Sequence, residues 1–117
     1  METKQLTKSD LEQFVGTEQY YKHWMPGLVF TDGVKYMAEV AGAYWLIDIV
    51  ASYRRKEPFQ IWELKVDKNA EPMAVVIMKE DSDQPELVRQ EIPYTDFPLD
   101  GIKLYLIDGV LLLTSEY

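Results

Sequence analysis

The chain has 117 residues, 47% hydrophobic and 13% aromatic, with 20 acidic and 12 basic residues, no cysteine and a single histidine. That length and apolar content suit one domain with a real core and exclude intrinsic disorder. Without cysteine there are no disulfides, no thiol catalysis and no thiolate-held zinc, and one histidine cannot build a multi-histidine metal site.

The N-terminus, Met1 to Leu6, has no apolar signal core. Thr7 or Ser9 can cap a short helix whose apolar face holds Leu11, Phe14 and Val15, with Gly16 as its stop. Thr17 is expected to cap a second short helical segment, Glu18 to Trp24, ended by Pro26-Gly27. Leu28-Val29-Phe30 reads as a short extended run, and Thr31-Asp32-Gly33 as a turn that can open a helix. Val34, Met37, Ala38 and Ala41 then share one helical face, and Gly42 is a good C-terminal stop.

Ala43 to Tyr53 has β-branched content but helical length. Drawn as a helix, it gathers Tyr44, Asp48, Ser52 and Arg55 into one polar stripe, which decides for a largely buried helix. The longest apolar run, Ala41 to Val50, is broken by Asp48 and falls well short of the ~20 residues that span a bilayer. A cytoplasmic protein without membrane contact is the expectation.

After Pro58 the period changes from helical to alternating. Phe59 to Val66 places Gln60, Trp62, Leu64 and Val66 on one face; Met73 to Met78 and Glu86 to Ile92 follow as further strands. Asp108-Gly109 between Ile102–Ile107 and Val110–Leu113 is a strong two-residue hairpin signal. The expected fold is α+β: three to four N-terminal helices, within about residues 7–57, on one face of an antiparallel sheet of about five strands, within about residues 58–114. The whole chain, 1–117, reads as one domain.

Charge and aromatics divide unevenly. Residues 1–58 hold 7 basic and 8 acidic residues; residues 59–117 hold 5 basic and 12 acidic. The net charge of −8 repels phosphate, so direct nucleic-acid binding is not expected, and a basic protein partner or a homodimer is. A carboxylate mimic of nucleic acid built on Asp81, Asp83 and Glu86 is a further possibility. Eleven of fifteen aromatic residues precede residue 63. Among them Tyr20, Tyr21, Trp24, Tyr36 and Tyr44, with Asp48, are the candidate binding residues.

The chain lacks a Gly-x-Gly-x-x-Gly, a phosphate loop and a Gly-x-Ser-x-Gly elbow. His23 and Asp48 are the candidates for acid–base chemistry. The preferred readings are a surface or capping histidine that hydrogen-bonds locally, because no nucleophile or orienting group is identifiable beside it, and an aspartate on the polar stripe that pairs with Arg55 or caps nearby backbone, because structural ion pairs perturb pKa too. No metal site and no cofactor is expected. The function expected is a non-enzymatic binding or regulatory role through protein–protein contacts. The alternative is a small-molecule binder or enzyme with an aromatic pocket around Tyr36, Tyr44 and Asp48.

Three stretches carry a resemblance: Gly16-Thr17-Glu18-Gln19-Tyr20-Tyr21; Thr31-Asp32-Gly33-Val34-Lys35-Tyr36 through Ala41-Gly42-Ala43-Tyr44-Trp45-Leu46-Ile47-Asp48; and Gln90-Glu91-Ile92-Pro93-Tyr94-Thr95-Asp96-Phe97-Pro98. With them the chain resembles, from about Leu11 to Tyr117, a family of small bacterial proteins of unknown function. The resemblance implies a stand-alone bacterial domain and carries no catalytic residues across.

Overall fold

Thr7 opens the structure with a reciprocal cap: its hydroxyl accepts from the Asp10 amide while the Asp10 carboxylate accepts from its own, starting α1 (Lys8–Glu12). The structure is a computed structural model that describes residues 6–53 and 56–117. Two three-residue strands follow, β1 (Tyr20–Lys22) and β2 (Val29–Thr31), paired antiparallel. Thr31 then caps α2 (Asp32–Ala41) by accepting from the Val34 amide, and Gly42, in the left-handed region at φ 63°, ends it. Of the four residues whose spacing predicts the apolar face of α2, Val34, Met37 and Ala38 are buried and Ala41 is half-buried. α3 (Tyr44–Tyr53) buries Leu46, Ile47, Val50 and Ala51.

The rest is sheet: β3 (Phe59–Val66), β4 (Ala74–Lys79), β5 (Val88–Ile92), β6 (Gly101–Ile107) and β7 (Val110–Leu113), closed by a 3₁₀ turn at Thr114–Glu116. Asp108 and Gly109 take φ 49° and 84° in the last hairpin, the positive values that a type I′ turn demands. All seven strands form one sheet in the order β1-β2-β7-β6-β3-β4-β5. Every pairing is antiparallel except β2 with β7, where Val29 pairs Val110 and Phe30 pairs Leu111.

This corrects the expected architecture of three to four helices on a five-stranded antiparallel sheet. The sheet is mixed and seven-stranded, and two helices, α2 and α3, reach ten residues. The expected helix over Glu18 to Trp24 is strand β1, and the run Leu28 to Phe30 joins the same sheet, so two strands precede the helices. The physical reason lies in strand direction. β2 runs parallel to β7, β7 runs antiparallel to β6, and β6 runs antiparallel to β3. β2 and β3 therefore point the same way, and the chain between them must cross the sheet rather than turn back. α2 and α3 make that crossing.

The crossing covers one face. Gln60, Trp62 and Leu64 of β3, Val76 and Met78 of β4, Leu104 of β6, and Leu111 and Leu113 of β7 are buried with Leu46, Ile47, Met37 and Val34 from the helices. Gln60 is the buried polar member, and it is satisfied: Trp62 Nε1 donates to its Oε1 at 2.8 Å, and its Nε2 donates to the Glu57 carbonyl at 3.2 Å. Phe97, from the connection between β5 and β6, also joins this core.

Candidate functional site

Three side-chain groupings and one surface bear on function. The β1–β2 hairpin positions the first. His23 leaves β1 with its amide bonded to the Leu28 carbonyl, and its imidazole lies beside α3. There Nε2 is 2.6 Å from Asp48 Oδ1, while Nδ1 accepts the Met25 amide at 3.0 Å. An Nδ1 that accepts must be unprotonated, so the proton sits on Nε2 and donates to Asp48. Trp24 Nε1 donates to the same Oδ1 at 3.2 Å. Both candidates for acid–base chemistry are thus brought into contact, but both ring nitrogens of His23 are occupied and its side chain is 4% exposed. A general base needs a free nitrogen facing substrate; this imidazole fastens the hairpin to α3. Arg55, the expected partner of Asp48, lies outside the described residues.

The second grouping surrounds the first turn of α2. The amides of Glu18 and Gln19 donate to Asp32 Oδ2 at 3.1 and 3.4 Å, and the Tyr21 hydroxyl is 3.0 Å from Oδ1. The Glu18 amide, seconded by Tyr21, Thr17 and Gln19, holds the Asp32 carboxyl below the usual carboxylate range, against a smaller opposing push from burial. The hydrogen bond to Asp32 pushes the Tyr21 phenol up. Lys35 Nζ sits 4.5 Å over the Tyr21 ring and 3.5 Å from Glu39.

Tyr44 is 3.3 Å from Glu39 and meets Phe30 edge-on, and burial together with Glu39 raises its phenol. Tyr36 packs on Phe14 with centroids 5.2 Å apart. The candidate binding residues are therefore shared out. Tyr21 belongs to Asp32, Trp24 to Asp48, Tyr36 to Phe14 and Tyr44 to Glu39. Tyr20 is 60% exposed on the edge strand.

The third grouping had no signal in the sequence. Glu116 of the 3₁₀ turn accepts from the Thr31 hydroxyl at 2.6 Å and the Leu113 amide at 2.9 Å with Oε1, and from the Gly33 amide at 3.3 Å with Oε2. A carboxylate here satisfies donors at the start of α2, where the helix dipole also favours negative charge. Gly33 is what admits it: a Cβ there would stand 2.6 Å from Leu113 Cδ1 and 2.7 Å from Glu116 Oε1.

The surface is the sheet face turned away from the helices. By strand alternation it carries Phe59, Ile61, Glu63 and Lys65 of β3, Lys103, Tyr105 and Ile107 of β6, and Val110 and Leu112 of β7. The register lines these up in two rows, Phe59–Ile107–Val110 and Ile61–Tyr105–Leu112, all half-buried. Tyr117 leans on them, its ring 5.2 Å from that of Tyr105 and 6.1 Å from that of Phe59. No helix among the described residues lies over this face. One signal was legible: β3 begins with apolar residues at Phe59 and Ile61, the positions its alternation assigns to solvent.

A cleft of about 480 Å³ opens at the end of the sheet between Pro26-Gly27, Val50 and Ala51 of α3, Lys56 to Pro58, and the Asp108-Gly109 turn. Tyr36, Tyr44 and Asp48 are not among its lining residues.

None of the described helices is long and apolar enough to cross a membrane. No curated protein and no solved structure matches the chain. A family model does match, over residues 5–117 and so through all the stretches that carried the resemblance. The chain belongs to that family, DUF6876, a family of unknown function.

Proposed function

We propose that the protein is a non-enzymatic binding domain that docks a polypeptide on the open face of its sheet. The observation behind this reading is the pair of apolar rows, Phe59–Ile107–Val110 and Ile61–Tyr105–Leu112, side by side on a face that no helix among the described residues covers. Scattered exposed apolar residues are ordinary, whereas a contiguous patch marks a contact surface. Tyrosine and phenylalanine within it suit an interface, since they supply large area at little conformational cost. The engaged imidazole of His23 supports a binding role over an acid–base one.

Photo-crosslinking in living cells tests this. A crosslinking residue at Ile107, on the open face, is expected to give discrete polypeptide adducts that Tyr105→Asp abolishes. The same residue at Ser52, exposed on α3, is expected to give none. Equal adducts at both positions, or none at Ile107, would overturn the reading.

A further inference from the structure

Resting on that docking reading, we infer that the segment bound on the open face is acidic as well as apolar, although the protein itself carries a net charge of −8. Charge is segregated between strands and connections. The seven strands contain Lys22, Lys65, Lys79, Arg89 and Lys103 but only Glu63 and Glu91, which leaves 7 basic and 18 acidic residues for the rest of the chain. Alternation puts all seven strand charges on the open face. Their in-register partners outline the pattern: Lys22 opposite Val29, Ile61 opposite Lys79, Glu63 opposite Lys103 and Ile77 opposite Arg89.

The rim of the apolar rows is therefore net basic, with Glu63, next to Ile61 and opposite Lys103, as its acidic member. Lys22 lies beyond Val29 at the β1 edge, Lys79 lies beside Ile61 on β4, and Lys103 and Lys65 lie along the strands past Tyr105 and Ile61. Lys22, Lys65 and Lys103 are exposed. Arg89 is partly neutralised by Glu86 at 3.2 Å. The acids of the sheet half, such as Asp67, Glu71, Asp81, Asp83 and Asp100, sit in the turns.

Salt limits the reach of those turns to about 8 Å at physiological ionic strength, so a partner lying on the face meets mainly its local charge. An apolar centre with a polar rim is the anatomy of a protein interface, and the sign of the rim selects the partner. A second copy using the same face would set lysine against lysine. Single-stranded nucleic acid needs open ring faces for its bases. Here Phe59, Tyr105 and Tyr117 are tilted or edge-on to one another at 44°, 85° and 77°.

The experiment uses isotope-labelled full-length protein and two ten-residue peptides, one alternating leucine with glutamate and one alternating leucine with lysine, plus oligouridylate. The glutamate peptide is expected to shift amide resonances in β3, β6 and β7. It should bind at least ~10-fold more tightly than the lysine peptide, and Lys65→Glu with Lys103→Glu should remove that preference. The variants' amide dispersion checks that they remain folded. Equal or tighter binding of the lysine peptide at the same resonances would overturn the acidic assignment and leave the docking face standing. Shifts of this face by oligouridylate or by self-association, with neither peptide binding, would overturn the docking reading too.

Discussion

The two faces of the sheet use similar side chains for different ends. Trp62, Leu104 and Leu111 on one face are at most 1% exposed beneath α2, α3 and the Phe97 connection. One residue along the same strands, Ile61, Tyr105 and Leu112 lie under no described helix and stay half-buried, with the Tyr117 ring against Tyr105. The strands cannot explain the difference, because both faces are apolar near β3, β6 and β7. The crossing does. A single link between parallel β2 and β3 lays its helices on one side only, and the other side keeps its apolar rows for something outside the chain.

The comparison can be broken first at its buried side. Trp62→Ala removes a fully buried indole and one donor to Gln60 Oε1, and should cost roughly 3–5 kcal/mol in urea unfolding. Glu116→Ala leaves the donors of Thr31, Gly33 and Leu113 without their shared acceptor and should cost about 1–3 kcal/mol by the same measurement. Asp48→Ala removes the acceptor that His23 and Trp24 share, and a loss near 1 kcal/mol is expected by the same measurement. On the open side, Ile61→Thr should change stability by less than about 1 kcal/mol while weakening whatever binds there. A large loss of stability at Ile61 would mean that the face is core after all.

The Asp32 grouping sharpens the comparison through pH. Its carboxyl is depressed by the Glu18 amide, so its contribution is complete above the unfolded value near 3.9 and disappears as pH falls through the lower folded value. Asp32→Asn should therefore flatten the acid limb of the stability curve below about pH 4. The Tyr21 phenol is raised, so its contribution holds below the unfolded value near 10 and is lost as pH rises beyond it. Tyr21→Phe should flatten the alkaline limb.

Local signals carried much of this into the sequence. Thr31 with Gly42 bounds α2, Asp108-Gly109 makes the last hairpin, and the alternation of Gln60, Trp62 and Leu64 marks the covered face. What stayed hidden depends on partners far along the chain. β1 has three residues, too few to show a period of two against the helical spacing of Tyr20, Tyr21 and Trp24, and the extended run at Leu28 to Phe30 carried no sign of its parallel partner β7. His23 and Asp48 were each legible as candidates, but their contact spans 25 residues and nothing local joins them. Counting charge by halves hid the basic strands, because turn acids outnumber them within residues 59–117.

The parallel pairing of Val29 with Val110 also constrains the order of assembly during synthesis. Its first strand leaves the ribosome some eighty residues before its template exists. Until Val110 and Leu111 emerge, β2 has a partner in β1 on one side only, and until Glu116 emerges the start of α2 lacks its acceptor. The nascent β1–β2 hairpin and the apolar stripes of α2 and α3 must wait, exposed, through most of translation. Such non-local closure slows folding and lengthens the interval in which unburied surface can be captured by other chains.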